Sequence, residues 1–92
     1  MGEVEELLDD LFNEQALKIK LYHDHKNISN LDLLELYGLY KQSKDGDNTQ
    51  NNNFRTFKAK KMWESWNNYK GKDRNECKYL FIEKVNGVMK ID

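Results

Sequence analysis

Hydrophobic positions near the N-terminus follow the spacing of one helical face. From Val4 to Tyr22 apolar side chains recur every three or four residues, which is the period of an α-helix. The spacing predicts a first helix from about residue 3 to 24, followed by a polar connection over residues 23–30. The apolar positions of this face are Val4, Leu7, Leu8, Leu11, Phe12, Ala16, Ile19 and Tyr22.

A second helix is predicted to begin at Ser29 or Asn30 and to run to about Lys44. Serine and asparagine are favoured at this position because their side chains accept hydrogen bonds from the first free amides of a helix. Residues 45–56 lack an apolar period and are rich in Asp and Asn, so they are predicted to form a loop. We interpret the asparagine run at 51–53 as filler.

Helical spacing resumes at residues 57–70, and Gly71 is predicted to be the left-handed residue that follows this third helix. Asp73 and Glu76 resemble a capping box that opens a fourth helix, with Asp in the usual Ser or Thr position. The apolar face of this helix consists of Cys77, Leu80, Phe81, Val85 and Val88. The sequence therefore predicts an all-α four-helix fold with one core, in a single domain over residues 1–92.

The charged residues are unevenly distributed along the chain, although the formal net charge is only −1. Residues 1–36 hold nine acidic and three basic residues, whereas residues 41–72 hold eight basic and three acidic ones. A neutral protein with a compact basic middle suits a small polyanion better than nucleic acid, which usually requires a strongly basic domain. The alternative is that these lysines only solvate the surface.

Membrane, secreted and metal-binding classes are disfavoured by the sequence. No apolar run approaches the roughly 18 residues that cross a bilayer, and the acidic start is unlike a signal peptide. The chain has one cysteine, Cys77, which we interpret as a small buried hydrophobe in a reducing, cytoplasmic setting. His23 and His25 are two residues apart, a spacing that points side chains in different directions on a helix, and no further His or Cys pair has metal-ligand spacing, which argues against a metal site. A calcium loop beginning at Asp45 fails because its twelfth residue is Thr56 rather than Glu.

The segment Tyr37–Ser43 contains the most informative chemistry. Tyr37, Tyr40 and Lys41 are three and four residues apart, so they are predicted to share one face of the second helix. Two phenol rings and an ammonium group can stack on a flat group and bind its phosphate. The alternative is that both tyrosines belong to the core. No catalytic constellation is found elsewhere, so we expect no enzyme activity.

Three strings together resemble the acyl-CoA-binding protein family along essentially the whole chain. They are Y-G-L-Y-K-Q-S-x-x-G at 37–46, K-A-K-K-M-W-E-S-W-N-N-Y-K-G at 58–71, and Y-L-F-I-E-K-V at 79–85. The resemblance implies a four-helix bundle with up-down-down-up order. It also implies binding of long-chain fatty acyl-CoA esters as an intracellular carrier, without a cofactor, metal or chemical step.

The resemblance also implies a set of binding residues. Tyr37 and Lys41 would bind the 3′-phosphate of the nucleotide, Tyr40 would help to line the site, and Phe12 and Ala16 would border the acyl chain. The full implied acyl-CoA-binding set is Lys20, Tyr37, Gly38, Leu39, Tyr40, Lys41, Lys58, Lys61, Met62 and Phe81.

The sequence departs from the family pattern at two of these positions. The family has a lysine directly before Trp63, where this chain has Met62. Lys61 lies about 100° around the helix from that position, whereas Lys58 is one turn earlier on the same face. Our hypothesis is that Lys58, helped by Lys61, supplies the missing charge. Phe81 replaces a tyrosine and therefore keeps the ring but loses the hydroxyl.

The expected partners are long-chain acyl-CoA and the enzymes that use it, with no nucleic acid and no stable membrane insertion. We expect a monomer. The alternative function is a small helical protein-interaction module whose basic middle docks an acidic partner.

Overall fold

The computed structural model describes residues 2–25 and 28–89, apart from the side chains of residues 2 and 23–25, and these form four α-helices without a strand. The helices are α1 (Gly2–His25), α2 (Asn30–Asp45), α3 (Phe57–Asn67) and α4 (Arg74–Val88). The all-α prediction is confirmed. None of the described helices is both long enough and apolar enough to span a bilayer.

Short polar side chains fix where three of the helices begin. Ser29 Oγ accepts a hydrogen bond from the amide of Asp32 at 3.1 Å, and Thr56 Oγ1 accepts one from the amide of Ala59 at 3.0 Å. Asp73 accepts two amide hydrogen bonds at the start of α4. These bonds satisfy donors that have no partner within the helix. The predicted starts of α2 and α4 are therefore confirmed.

The third helix ends at Asn67, three residues earlier than predicted. Beyond that point the chain tightens, because the amides of Tyr69 and Lys70 bond to carbonyls only three residues back, at 3.1 and 3.2 Å. Such bonds are typical of a 3₁₀-like final turn. Gly71 then adopts φ 86°, so its predicted left-handed conformation is confirmed.

Contacts along α4 define the directions of α1 and α2. The Lys78 amine pairs with Asp9, and three residues further along each helix Phe81 packs against Phe12 at 5.0 Å, so α1 and α4 run in the same direction. By contrast, Lys84 near the end of α4 pairs with Asp32 at the start of α2, at 2.8 Å. Earlier on α4, Phe81 packs against Tyr40, which lies later on α2, so α2 runs antiparallel to α4.

The remaining pair, α2 and α3, runs in parallel. Leu31 and Phe57, at the starts of these helices, line the same groove. At the other end, Trp66 Nε1 donates a hydrogen bond to the carbonyl of Gly46 at 2.9 Å. The predicted up-down-down-up order is confirmed.

The core lies where α1, α2 and α4 meet. Its buried members are Phe12, Leu36, Leu39, Cys77, Phe81 and Val85. Cys77 is fully buried, and this burial raises the pKa of its thiol. Helix α1 buries only part of its apolar face, since Val4 and Leu7 are 67% and 60% exposed. The backbone of α1 lies close to α4 alone among the described helices, and its contact with α2 is made by the ring of Phe12 on Tyr40, so only a narrow stripe of α1 is covered.

Candidate functional site

The loop between α2 and α3 is held against α3 by hydrogen bonds. Trp63 Nε1 donates to the carbonyl of Gln50 at 3.0 Å, and the buried Asn48 amide donates to the carbonyl of Trp63 at 3.3 Å. The Phe54 ring packs edge-on against Trp63, with 5.5 Å between ring centroids. The segment is a loop, as predicted, but it has a defined position against α3.

A cavity of about 490 Å³, which we call the loop cavity, opens between this loop and the two helices. It combines three aromatic rings, three side-chain amides and one guanidinium group. Its lining residues are Tyr37, Gln50, Asn51, Asn53, Phe54, Arg55, Ala59, Met62 and Trp63. Rings and donors of this kind suit a flat polar group that carries negative charge. The interpretation of the asparagine run as filler is not supported, because Asn51 and Asn53 line this cavity.

An apolar groove of about 710 Å³ lies beside the loop cavity, between the first turns of α2 and α3. We call it the leucine groove. It is lined by Asn30, Leu31, Leu33, Leu34, Phe57, Lys58, Lys61 and Met62. Leu31 and Phe57 are 80% and 72% exposed and line the same groove, and a continuous exposed apolar surface of this kind favours a bound apolar group. Met62 lines both the groove and the cavity, so the two are adjacent.

The structure separates the two tyrosines of the 37–43 segment. Tyr37 lines the loop cavity, whereas the ring of Tyr40 stacks on Phe12 at 5.6 Å and packs against Phe81 at 6.0 Å. Positions 37 and 41 lie about 40° apart around a helix, and position 40 lies about 100° from position 41. Tyr40 therefore turns toward α1 and α4, and the structure does not place it on the loop cavity.

Lys41 points toward α3 and is paired with a carboxylate of its own helix. Its amine is 2.6 Å from Asp45 Oδ2 and 4.7 Å above the centre of the Trp66 ring. The hydrogen bond that Lys41 donates to the Asp45 carboxylate raises the pKa of Lys41 and holds the pKa of Asp45 below its usual range. The amine is therefore charged at neutral pH, and a bound phosphate would compete with Asp45 for it.

Gly38 and Leu39 both make packing contacts within the protein. A methyl group at Gly38 would sit 2.7 Å from Ser65 Oγ and closer still to the Ser65 backbone, so the missing side chain lets α3 approach α2. The Ser65 hydroxyl donates to the carbonyl of Leu34 across this contact. Leu39 belongs to the core. Their implied roles in nucleotide binding stay predictions.

Lys58 and Lys61 share the leucine groove with Met62 and do not line the loop cavity. The Lys61 amine lies 3.7 Å from Glu64 and 5.2 Å above the ring of Phe57. Both lysines are exposed at the edge of the groove. The hypothesis that they replace the charge missing at position 62 stays a prediction.

The other implied residues lie on α1 and α4, away from the loop cavity. Lys20 is exposed on α1. Phe81 is 2% exposed and packs against Phe12 at 5.0 Å, and Ala16 packs on the same cluster. A ligand would reach Phe81 only if its neighbours moved, and the implied roles of these residues stay predictions.

The structure gives no support for a metal site in the part of the chain that it describes. Within those residues no group of three or more His, Cys, Asp or Glu side chains is arranged to hold a metal ion. The side chains of His23 and His25, the histidines considered as metal ligands in the sequence, are not among those that the structure describes.

Comparison with known proteins agrees with the geometry. Residues 9–85 match the family described as acyl CoA binding protein. The chain is also similar to the crystal structure of Oryza sativa Acyl-CoA-Binding Protein 2, with 35% sequence identity and a TM-score of 0.81. That similarity covers 89% of this chain and 90% of the rice chain. A comparison with curated protein sequences gives no match.

Proposed function

The chain belongs to the acyl-CoA-binding protein family, and from that premise we propose that it binds long-chain fatty acyl-CoA esters and serves as their intracellular carrier. The observation that carries this proposal is the meeting of the loop cavity and the leucine groove at Met62. An acyl-CoA ester joins a phosphorylated nucleotide to a fatty chain and therefore needs a polar aromatic surface beside an apolar one. We propose that residues 1–92 form one such binding domain.

The nucleotide end of the ester is assigned to the loop cavity and to Lys41, which is one helical turn after Tyr37 on α2. The rings of Tyr37, Phe54 and Trp63 offer stacking surface for a base. Hydrogen bonds between charged groups, such as lysine or arginine and phosphate, contribute about 1.5–3 kcal/mol each and fix orientation. At about 490 Å³ the cavity is within the range of small-molecule sites, roughly 300–1,000 Å³.

The acyl chain is assigned to the leucine groove. Each methylene that is fully removed from water contributes about 0.8 kcal/mol, and covering Leu31 and Phe57 removes further apolar surface from solvent. Part of this gain is lost to the ordering of a flexible chain. Affinity should therefore increase with acyl length, by less than the full value per methylene.

We propose that the ester is bound and released unchanged. The one thiol of the chain, Cys77, is buried in the core and lines neither the cavity nor the groove. Burial raises the pKa of this thiol, which keeps it in the unreactive protonated form. The proposal includes a cytoplasmic monomer that delivers acyl-CoA to the enzymes that use it.

The test is calorimetric titration with palmitoyl-CoA, free coenzyme A and palmitate. Palmitoyl-CoA should bind most tightly, by at least about tenfold, because it alone occupies both surfaces. Equal binding of palmitate would contradict the proposal, since palmitate lacks the nucleotide. Native mass spectrometry of protein purified from cells should also detect a co-purifying acyl-CoA.

A further inference from the structure

Arg55 is a cation in the loop cavity to which the family resemblance assigns no role. It lies in the loop just before α3 and lines the same cavity as Tyr37 and Met62. Its side chain is exposed, and within the described part of the chain no carboxylate pairs with it. By contrast, the amines of Lys41 and Lys61 are paired with Asp45 and Glu64.

The loop cavity needs a positive charge that its helical wall does not provide. Met62, the α3 residue that lines the cavity together with Tyr37, carries no charge. Lys58 and Lys61 line the leucine groove and not the loop cavity. The cavity lining contains rings, amides and a single cation, Arg55. A phosphate that entered the cavity would therefore find its charge partner on the loop rather than on the helix.

The loop is positioned well enough to present this cation. Phe54, directly before Arg55, packs on Trp63, and Thr56, directly after it, caps α3 through the amide of Ala59. The backbone on both sides of Arg55 is thus attached to the first turns of α3. An arginine guanidinium is planar, always charged and able to bind phosphate through two hydrogen bonds.

We propose that Arg55 binds a phosphate group of the coenzyme A head in the loop cavity and supplies the charge that Met62 does not. This inference rests on the proposed function, since it assigns a residue to the same ligand. In this arrangement the cation that binds the phosphate lies on the loop before α3 and not at position 62 of the helix.

The first experiment compares Arg55→Ala with two matched variants by calorimetric titration of palmitoyl-CoA. Arg55→Ala should weaken binding roughly tenfold, as expected for the loss of one charge-assisted contact. Arg55→Lys, which keeps the cation but loses the paired hydrogen bonds of the guanidinium, should weaken binding by less than Arg55→Ala does. Lys70→Ala removes the same charge from an exposed turn outside the cavity and should change binding less than about twofold. Circular dichroism should show the same helix content for all four proteins.

A ligand without the 3′-phosphate identifies the phosphate that Arg55 contacts. If Arg55 binds the 3′-phosphate, the difference between wild type and Arg55→Ala should vanish with palmitoyl-dephospho-CoA. If it binds the pyrophosphate, the tenfold difference should persist, and either result supports the inference. A difference that disappears only in high salt, and that Lys70→Ala reproduces, would reflect general electrostatics and overturn it.

A second pair of variants tests whether Arg55 takes the place of a cation at position 62. Met62→Lys should restore most of the binding lost in Arg55→Ala but improve the wild type by less than about threefold, because one phosphate needs only one such partner. Equal gains in both backgrounds would contradict the inference. Unchanged binding in Arg55→Ala would overturn it while leaving the proposed function intact, whereas a wild type that binds no acyl-CoA would overturn both.

Discussion

Two regions of the molecule place large apolar side chains in opposite environments. In the seam between α1, α2 and α4, the rings of Phe12, Tyr40 and Phe81 lie 5.0–6.0 Å apart and form part of a closed core. At the start of α2 and α3, Leu31 and Phe57 are mostly exposed beside an open groove. The seam receives side chains from three helices, whereas the open end is built from two helices and a loop. Helical spacing alone therefore does not separate core from site, because the difference depends on whether a third helix covers the face.

The largest expected effect comes from Phe12→Ala in the closed seam. Phe12 is almost fully buried against two other rings, so the substitution should lower the free energy of unfolding by about 3–5 kcal/mol. Urea denaturation followed by circular dichroism would measure this loss. Phe57→Ala, the same change at the open end, should cost less than about 0.5 kcal/mol. Equal losses would show that the two regions do not differ as described.

The next largest effect is expected where α2 meets α3. Gly38→Ala places a methyl group against the Ser65 backbone, and the helices must separate, at a cost of about 1–3 kcal/mol in unfolding free energy. Gly87→Ala is the matched control, because within the described residues nothing beyond its chain neighbours and its own helix backbone lies within 4 Å of the added methyl. That variant should stabilise α4 by up to about 1 kcal/mol. A neutral Gly38→Ala would mean that α3 packs less closely on α2 than the structure shows.

Binding measurements on Phe57→Ala test whether the leucine groove, unlike the closed seam, binds the ligand. Because the ring lines the leucine groove, its loss should weaken palmitoyl-CoA binding by about 1–2 kcal/mol, while binding of acetyl-CoA should not change. Titration of both ligands would measure the difference. If acetyl-CoA binding weakened equally, the groove would not be the site of the acyl chain.

The helices could be predicted from the sequence, whereas the environments of individual side chains could not, because they depend on tertiary contacts. The helix starts at Ser29 and Asp73 could be predicted because a cap is a local interaction between neighbouring residues. The different environments of Tyr37 and Tyr40 could not, since a helical period does not reveal which neighbouring helix each ring meets. Arg55 was visible only as one of eight basic residues in the 41–72 segment. The available signal was the combination of a missing lysine at Met62 and a cation in the preceding loop.

A smaller effect should distinguish the two tyrosines directly. Tyr37→Phe removes a hydroxyl from the loop cavity and should weaken acyl-CoA binding by about 1 kcal/mol, or roughly fivefold. Tyr40→Phe should change binding by less than about twofold, because that ring packs in the seam. Both variants should keep their helix content. The reverse order of effects would place the nucleotide at the seam instead.

The smallest effect concerns the ion pair that joins α2 to α4 on the closed side. Hydrogen bonds from Lys84 and then Ser29 hold the pKa of Asp32 below its usual range. A carboxyl with a lowered folded-state pKa stabilises the protein above the ordinary carboxyl range, and this contribution is lost as pH falls through the folded-state value. Denaturation from pH 7 to 2 should therefore show a slightly flatter acid decline for Asp32→Asn than for wild type. Parallel curves would mean that the exposed pair contributes nothing measurable.

The most direct test of the central claim is to record nuclear Overhauser contacts between ¹³C-labelled protein and unlabelled palmitoyl-CoA. Because Met62 lines both the loop cavity and the leucine groove, its methyl group should contact protons near the thioester. The acyl protons should contact Leu34 and Phe57, and the adenine protons should contact Tyr37. Acyl contacts confined to Phe12 and Phe81, with none at Met62, would contradict the account.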